Sequence, residues 1–368
     1  MTDPFAFADD LGPEQVIHIH RPGLGLRAVL VLDNTACGTA IGGIRMAPDA
    51  DAREAFRLAR AMTMKNAAAG LPHGGGKAVI IADPHGPATQ KEALVRAFAQ
   101  AIRDVTGYVP GPDMGTNETC MAWIREETGR AVGLPRAIGG IPLDEIGATG
   151  IGLGAAVEVA AARIGLSLKG ARVAVQGFGA VGQHAARVLA AQGAVLVAAS
   201  DTRGTLSDPA GLDVAALIAL KAAGGALTDH AAGGKAGTEA IIGTPCDIWI
   251  PAARPDVVDA GNVSRLQARI VAQGANIPFT AEAEAALHAR GVLVLPDFIA
   301  NAGGVICASV EYHGGNEEDA IRTITTRIRA NTEAVLDEAA RSRSLPRAAA
   351  LALAERRVRA AMALRRFR

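Results

Sequence analysis

The alternation of apolar and polar positions divides this chain into a strand-rich front, a mixed middle and a helical tail. Residues 15–46 alternate with a period of two in short runs, Gln15–His20, Leu26–Leu32 and Ala40–Met46, separated by glycine-containing turns. Such runs predict a meander of strands. Residues 52–69 and 89–105 carry the spacing of amphipathic helices, and the unbroken apolar run Ala78–Ala82 between them predicts a buried strand. A Gly/Pro-rich stretch at 134–154 suits a domain junction, and a helix is predicted over 152–164. Apolar runs then recur at 171–176, 194–200, 241–242, 247–251, 270–272 and 292–295, with helical stretches between them. Alternation of that kind predicts a parallel, doubly wound sheet. Segment 316–343 reads as a charged amphipathic helix, and 347–368 as an Arg-rich helix.

A length of 368 residues suggests two domains. We expect one over 1–140 and another over 141–344, with the last helix, 345–368, packing back on the first. Lys+Arg and Asp+Glu number 37 each, a balance that argues against a nucleic-acid or membrane-surface partner. No apolar stretch is long and charge-free enough to span a bilayer. The four cysteines form no paired motif and fit reduced thiols in a cytoplasmic protein. The N-terminus, with Asp3, Asp9 and Asp10, lacks a basic-then-apolar signal. His18 and His20 share a strand face with no third ligand nearby in sequence, so no metal site is expected.

Three stretches carry candidate chemistry. In Met62–Lys77, Gly70 and Pro72 break a helix, and Gly74-Gly75-Gly76 reads as a turn flanked by Lys65 and Lys77. Two ammonium groups drawn together make one of them easier to deprotonate, as an amine base near neutral pH requires. The alternative is a pair of surface lysines around a tight turn. In Tyr108–Asn117, two prolines and two glycines hold Asp113 on a stiff loop. Asp113 then serves either a site or the start of the helix at 118–127. The third stretch is Gly177-Phe178-Gly179-Ala180-Val181-Gly182, with a strand before it, a helix after it and Asp201 at the end of the next strand. That context matches the dinucleotide fingerprint. Gly177 makes the turn, Gly179 admits a pyrophosphate and Gly182 lets helix pack on strand. Asp201, with Thr202 beside it, would take ribose hydroxyls and favours NAD; Arg203 could instead meet a 2′-phosphate, so NADP stays open. The turns at Pro251–Ala253, Gln273–Asn276 and Asn301–Val305 follow strands and are expected to line the cofactor cleft.

With these motifs in order, the chain resembles the glutamate, leucine, phenylalanine and valine dehydrogenases over nearly its whole length. The resemblance rests on Ala40-Ile-Gly-Gly-Ile-Arg-Met46, Met64-Lys-Asn-Ala67, Gly74–Lys77, Pro112-Asp-Met-Gly-Thr116, Ala148-Thr-Gly150, Gly177–Gly182, Gln273–Asn276 and Asn301–Val305. It implies an N-terminal α/β substrate and oligomerisation domain plus a Rossmann-type nucleotide-binding domain. It implies reversible oxidation of an L-amino acid to a 2-oxo acid and ammonia by a nicotinamide cofactor, in a homo-oligomer. By the resemblance, Lys65 holds the substrate carboxylate, Lys77 activates the attacking water, and Asp113 exchanges protons with the amino nitrogen. Thr149, Asn276 and Asn301 match positions around the nicotinamide and its ribose.

Within the resemblance, glutamate enzymes carry a lysine just before the Gly42-Gly43 pair and a serine at position 308; here those residues are Ile41 and Ala308. A glutamate side chain would leave its carboxylate unpaired there. The expected substrate is therefore hydrophobic, packed by Ile41, Gly111, Val305 and Ala308. Against this, Ser200–Gly204 and Gly274–Gly304 resemble the glutamate branch. A nucleotide-sensing protein without turnover is a further alternative, opposed by the joint presence of Lys65, Lys77 and Asp113.

Overall fold

The computed structural model describes residues 5–365. Their contacts group into two compact units. One comprises the chain up to Leu143, Val305–Ala320, and the chain from Leu351; the other comprises Asp144–Gly304 and Ile321–Ala350.

The first unit contains β1 (Gln15–Arg21), β2 (Leu26–Asn34), β3 (Ala40–Met46), α1 (Ala52–Ala68), β4 (Gly74–Ile80), α2 (Ala88–Ala101), β5 (Tyr108–Pro112) and α3 (Glu118–Thr128). Its five-stranded sheet runs β1-β2-β4-β3-β5. β1 and β2 form the expected hairpin, but the front is not a meander. β4 enters between β2 and β3, antiparallel to the one and parallel to the other. The physical reason lies in β4 itself. All seven of its residues are buried, so it needs neighbours on both sides and cover on both faces. Ala55 and Ala59 of α1 pack on Val29, Val31 and Val79 on one face. Phe98, Ile102 and Met121 from α2, α3 and their ends pack on Leu30, Ile44 and Ile80 on the other.

Two local expectations need correction. Gly74–Gly76 is the first part of strand β4 and makes no turn. A Cβ on Gly75 would overlap Thr63 of α1, and one on Gly76 would lie 2.9 Å from the Tyr108 ring. These glycines let a helix and a tyrosine approach the strand. The stretch before Asp113 is likewise strand β5 rather than loop. β5 is an edge strand, where prolines with no N–H to donate are tolerated. Asn117, whose side chain accepts from Cys120 N–H (3.1 Å), caps α3, so Asp113 is not the cap.

The second unit is built from α4 (Ala148–Arg163), β6 (Arg172–Gln176), α5 (Ala180–Ala191), β7 (Val195–Asp201), β8 (Gly204–Ser207), α6 (Val214–Ala222), β9 (Gly234–Ala236), β10 (Ile248–Pro251), β11 (Ile270–Ala272), α7 (Ala281–Ala289), β12 (Leu293–Leu295) and α8 (Asp297–Ala300). The chain passes from the first unit to the second after Leu143, and again changes unit within each of the last three helices, α9 (Gly303–Tyr312), α10 (Glu317–Ser342) and α11 (Pro346–Leu364).

The sheet order is β12-β11-β10-β6-β7-β8-β9, parallel from β12 to β7. β8 and β9 extend it antiparallel, an extension the hydrophobic pattern does not announce because both strands are short and β9 is fully exposed. Ile241 and Ile242 lie in a 3-10 helix instead of a strand; two apolar residues are too few to carry a period. The glycines at 150 and 152 lie inside α4. A Cβ on Gly150 would come within 2.5 Å of His184 in α5, and one on Gly152 within 2.5 Å of Ile328 in α10. They serve close helix packing, which overrides the usual reading of glycine as a breaker.

In the first unit, Ala354 and Val358 of α11 pack against Ala67 of α1, and Arg357 donates to Ala67 O (2.9 Å) and Leu71 O (2.8 Å). Among the described residues no helix is long and apolar enough to cross a membrane.

Candidate active site

Lys77 on β4, Gly43 on β3 and Gly111 on β5 share one row of the first sheet, on the face that α1 covers beside them. Lys77 is 6% exposed. Its Nζ lies 2.7 Å from Asp113 Oδ2, just past the end of β5. Arg45 Nε donates to the same oxygen (3.1 Å), and Arg45 Nη1 pairs with Glu54 Oε1 (2.5 Å). A Cβ on Gly43 would fall 2.7 Å from Asp113 Cβ and 3.2 Å from Lys77 Nζ, so only glycine leaves room for this pair.

Burial drives the Lys77 ammonium below its ordinary pKa, and the nearby Arg45 guanidinium adds to that, against the pull of Asp113. Arg45 is thus a cation that acts on Lys77, one the sequence reading did not single out. Burial also works to raise the Asp113 carboxyl, but Lys77 and Arg45 together hold it below the usual carboxylate range. The result is an amine disposed to give up its proton beside a carboxylate disposed to stay charged. That combination suits proton transfer at a reacting carbon and nitrogen.

Lys65 is half-buried in the last turn of α1. Its neighbour Asn66 donates to Gly74 O (2.7 Å) and Ile41 O (3.4 Å), tying the helix end to the starts of β3 and β4. Ile41 precedes Gly43 by two residues and so shares its face. There Ile41, Val109, Val132 and Ala308 form one buried apolar cluster. A Cβ on Gly111 would lie 3.3 Å from Val132. Val305 is half-buried on α9, one turn before Ala308. Gly42 belongs to the opposite face, where a side chain would overlap Gly76 O; its own carbonyl accepts from the Tyr108 hydroxyl (2.7 Å).

Sequence reasoning missed Val132, Arg45 and a buried histidine. Val132 is brought in by its N–H donating to Pro110 O (2.8 Å). Arg45 stood in the Gly-Gly-Ile-Arg run, but nothing in the period of two says where its guanidinium turns. His73 Nδ1 faces Thr39 O and Nε2 faces the Ser309 hydroxyl, each at 3.1 Å, and burial pulls its pKa down to about 4. The ring is therefore neutral near pH 7. Its Nδ1–H donates to the carbonyl, and Nε2 accepts from Ser309, beside Ala308.

In the second unit, Gly177 turns at φ +91° after β6, and the space above Gly179 is open. A Cβ on Gly182 would overlap Gly177 O and press on Val175. Phe178 is buried, with its N–H on Ser200 O (2.8 Å). Ala180, Val181 and Gly182 form the first turn of α5, so their N–H groups have no intrahelical acceptor. A cavity of about 590 Å³ adjoins this turn, lined by Gly179, Asp201, Thr202, Lys221 and Ala253 among others. The side-chain amide oxygen (Oε1) of Gln176, in its wall, is buried and unpartnered. Open space over Gly179 and a first turn of free N–H groups fit a pyrophosphate.

Asp201 does not present a bare carboxylate. Its Oδ2 pairs with Lys221 Nζ (2.8 Å) and accepts from Leu227 N–H (2.9 Å), and its Oδ1 accepts from Arg203 N–H (2.9 Å). Asn301 donates to Asn276 Oδ1 (2.9 Å) and Gly274 O (3.2 Å). Thr149 opens α4, and a Cβ on Gly304 would lie 3.9 Å from its hydroxyl. Among the described residues no group of three or more His, Cys, Asp or Glu could hold a metal ion.

Two family models match the sequence. Glutamate/Leucine/Phenylalanine/Valine dehydrogenase covers residues 139–366, and Glu/Leu/Phe/Val dehydrogenase, dimerisation domain, covers 13–130. The chain belongs to the glutamate/leucine/phenylalanine/valine dehydrogenase family. It is an NAD(P)-dependent amino-acid dehydrogenase. Glutamate dehydrogenase of Aeropyrum pernix is 37% identical over 322 residues, 82% of this dehydrogenase and 77% of that relative. The hetero-hexameric glutamate dehydrogenase of Thermus thermophilus, in a Leu-bound form, superposes with a TM-score of 0.86 at 31% identity, covering 97% of this chain and 91% of that one. L-tryptophan dehydrogenase of Nostoc punctiforme superposes at 0.75 with 28% identity, covering 96% and 98%. Relatives with polar and with aromatic substrates thus share this dehydrogenase's architecture.

Proposed function

We propose that this dehydrogenase oxidises a hydrophobic L-amino acid of the leucine, valine or phenylalanine type to its 2-oxo acid and ammonia, reversibly, with NAD. One observation carries the choice of side chain: the apolar cluster of Ile41, Val109, Val132 and Ala308 lies on the same sheet face as the Lys77–Asp113 pair. Two residues along a strand span about 7 Å, the distance from a reacting Cα to the end of a side chain. Lys65 takes the substrate α-carboxylate. Bound nicotinamide supplies the hydride acceptor. Asp113 exchanges a proton with the amino nitrogen as the Cα–N bond changes order. Lys77, neutral, accepts the proton of the water that adds to the imine carbon and returns it as ammonia leaves. Arg45 keeps Asp113 charged and Lys77 easy to deprotonate.

A second reading takes glutamate as substrate and is favoured by the names of the Aeropyrum and Thermus relatives. A panel of leucine, valine, phenylalanine, tryptophan and glutamate, assayed with NAD and NADP, separates the two. The highest kcat/KM on glutamate would overturn the apolar assignment and leave the proton chemistry standing.

For the cofactor, Asp201 favours the unphosphorylated ribose, while Lys221 neutralises it and offers a 2′-phosphate a cation. We expect NAD to be preferred with NADP still accepted. Lys221→Ala should raise the KM for NADP about tenfold more than that for NAD, the scale of one lost charge-assisted bond. Equal effects on both cofactors would show that Lys221 serves Asp201 alone. The description of residues 13–130 as a dimerisation domain supports a homo-oligomer built through the first unit. Light scattering that returned only the 37.5 kDa chain mass would refute it.

A further inference from the structure

Arg347, at the start of α11, sits in a buried polar cluster of the second unit that the reaction does not use. Its Nε donates to Glu284 Oε2 (2.6 Å), Nη1 to Asp297 Oδ1 (2.8 Å) and Nη2 to Gln273 Oε1 (2.8 Å). All three acceptors are buried, Gln273 completely. They come from α7, from α8 and from the residue after β11, so one guanidinium joins three elements.

The cluster ends on a strained turn. Ile277 has φ +48°, a left-handed conformation that a β-branched side chain disfavours, and Pro278 restricts it further. Its side chain is 53% exposed, so packing does not repay the strain. Both of its backbone polar groups are held instead. Its N–H donates to Asp297 Oδ2 (2.9 Å), and its carbonyl accepts from Asp256 N–H (2.9 Å). Asp297 therefore grips Arg347 with one oxygen and Ile277 with the other. Gln273, gripped by the same guanidinium, leads directly into Gly274-Ala275-Asn276. Strain of this kind persists where surrounding contacts over-determine it, and it clusters at functional sites.

We propose that Arg347 is a positioning residue for dinucleotide binding: through Asp297 and Gln273 it holds the Asn276–Ile277 turn in its left-handed form and so sets Asn276 against Asn301. This rests on the reading of Asn276 as a cofactor contact. Without the guanidinium, the buried carboxylates of Glu284 and Asp297 lose the cation they share, and one must take up a proton or turn away. Asp297 then loses its orientation and Ile277 relaxes to an extended conformation, carrying the Asn276 amide with it.

The test is NADH binding by the full-length protein, followed by nucleotide fluorescence well below the thermal midpoint, together with steady-state kinetics. Arg347→Met should weaken NADH binding about tenfold, with KM for NAD rising in parallel and KM for the amino acid changing by less than about twofold. Adding Ile277→Asn to Arg347→Met should recover most of the affinity, because Asn accepts positive φ more readily. Wild-type affinity in Arg347→Met, even with a lowered thermal midpoint, would reduce Arg347 to a stabilising residue and overturn the proposal. Weakened binding that Ile277→Asn fails to restore would overturn the route through the turn. Should Arg347→Met not fold, Arg347→Lys keeps the charge and loses the fork; unchanged NADH affinity there overturns the proposal equally. Failure of the wild-type protein to bind either NADH or NADPH would instead refute the cofactor reading itself.

Discussion

Lys77→Ala should lower kcat for oxidative deamination by about a thousandfold while leaving NADH affinity unchanged, the scale expected when a positioned acid–base group is removed. The separation follows from where the groups lie. Lys77 and Asp113 belong to the first unit, whereas Gly177–Gly182 and the cavity beside them belong to the second. The pH profile supplies an independent sign. Lys77 acts on water only when neutral, and burial has displaced its pKa downward from 10.5. kcat/KM should therefore rise with pH through an ionisation below that value, and Lys77→Ala should abolish that rising limb. Asp113 is held charged below the ordinary carboxylate range, so its ionisation lies on the acid side of the same profile and does not produce the limb. Retention of substantial turnover by Lys77→Ala would remove it from the chemistry.

The second large effect concerns specificity. The wild-type enzyme should favour leucine, valine or phenylalanine over glutamate by about a thousandfold in kcat/KM, because a carboxylate set among Ile41, Val109, Val132 and Ala308 costs several kcal/mol unpaired. Ile41→Lys combined with Ala308→Ser should move the ratio of glutamate to leucine by a comparable factor in the other direction. The variant places an ammonium at a position that is 4% exposed, so its thermal midpoint should fall in the absence of substrate. Glutamate should restore part of that loss, and leucine should not. A double variant whose preference stays with leucine would show that the cluster does not meet the substrate side chain.

The two predictions differ in how they could have been seen. Lys77 and Asp113 stand in motifs that can be picked out one at a time. What depresses the lysine, however, is its burial under α1 and the turn of Arg45, and neither is written in a motif. The apolar wall is less legible still. Ile41 and Ala308 could be compared with family positions, but Val132 carries no signal of its own and enters only because its backbone pairs with Pro110. The same limit explains the glycines. Gly74–Gly76 and Gly150–Gly152 read as breakers when only neighbours in sequence are counted. Their reason is a helix or ring from elsewhere in the chain.

The sequence by itself determined the elements whose signals are local. The strand–turn–helix around Gly177–Gly182 is one, because a turn at positive φ, an open approach and a close helix contact each demand glycine within six residues. The helices α1 and α10 and the parallel alternation of the second sheet are others, because a period of 3.6 or a continuous apolar run is complete within the segment. Only the tertiary structure decided the insertion of β4 between β2 and β3, the placing of Arg45 on Asp113, the neutralisation of Asp201 by Lys221 and the reach of Arg347 to a strained turn. Each of these is a contact between segments far apart in the chain. Its energy depends on burial and geometry that no single segment contains.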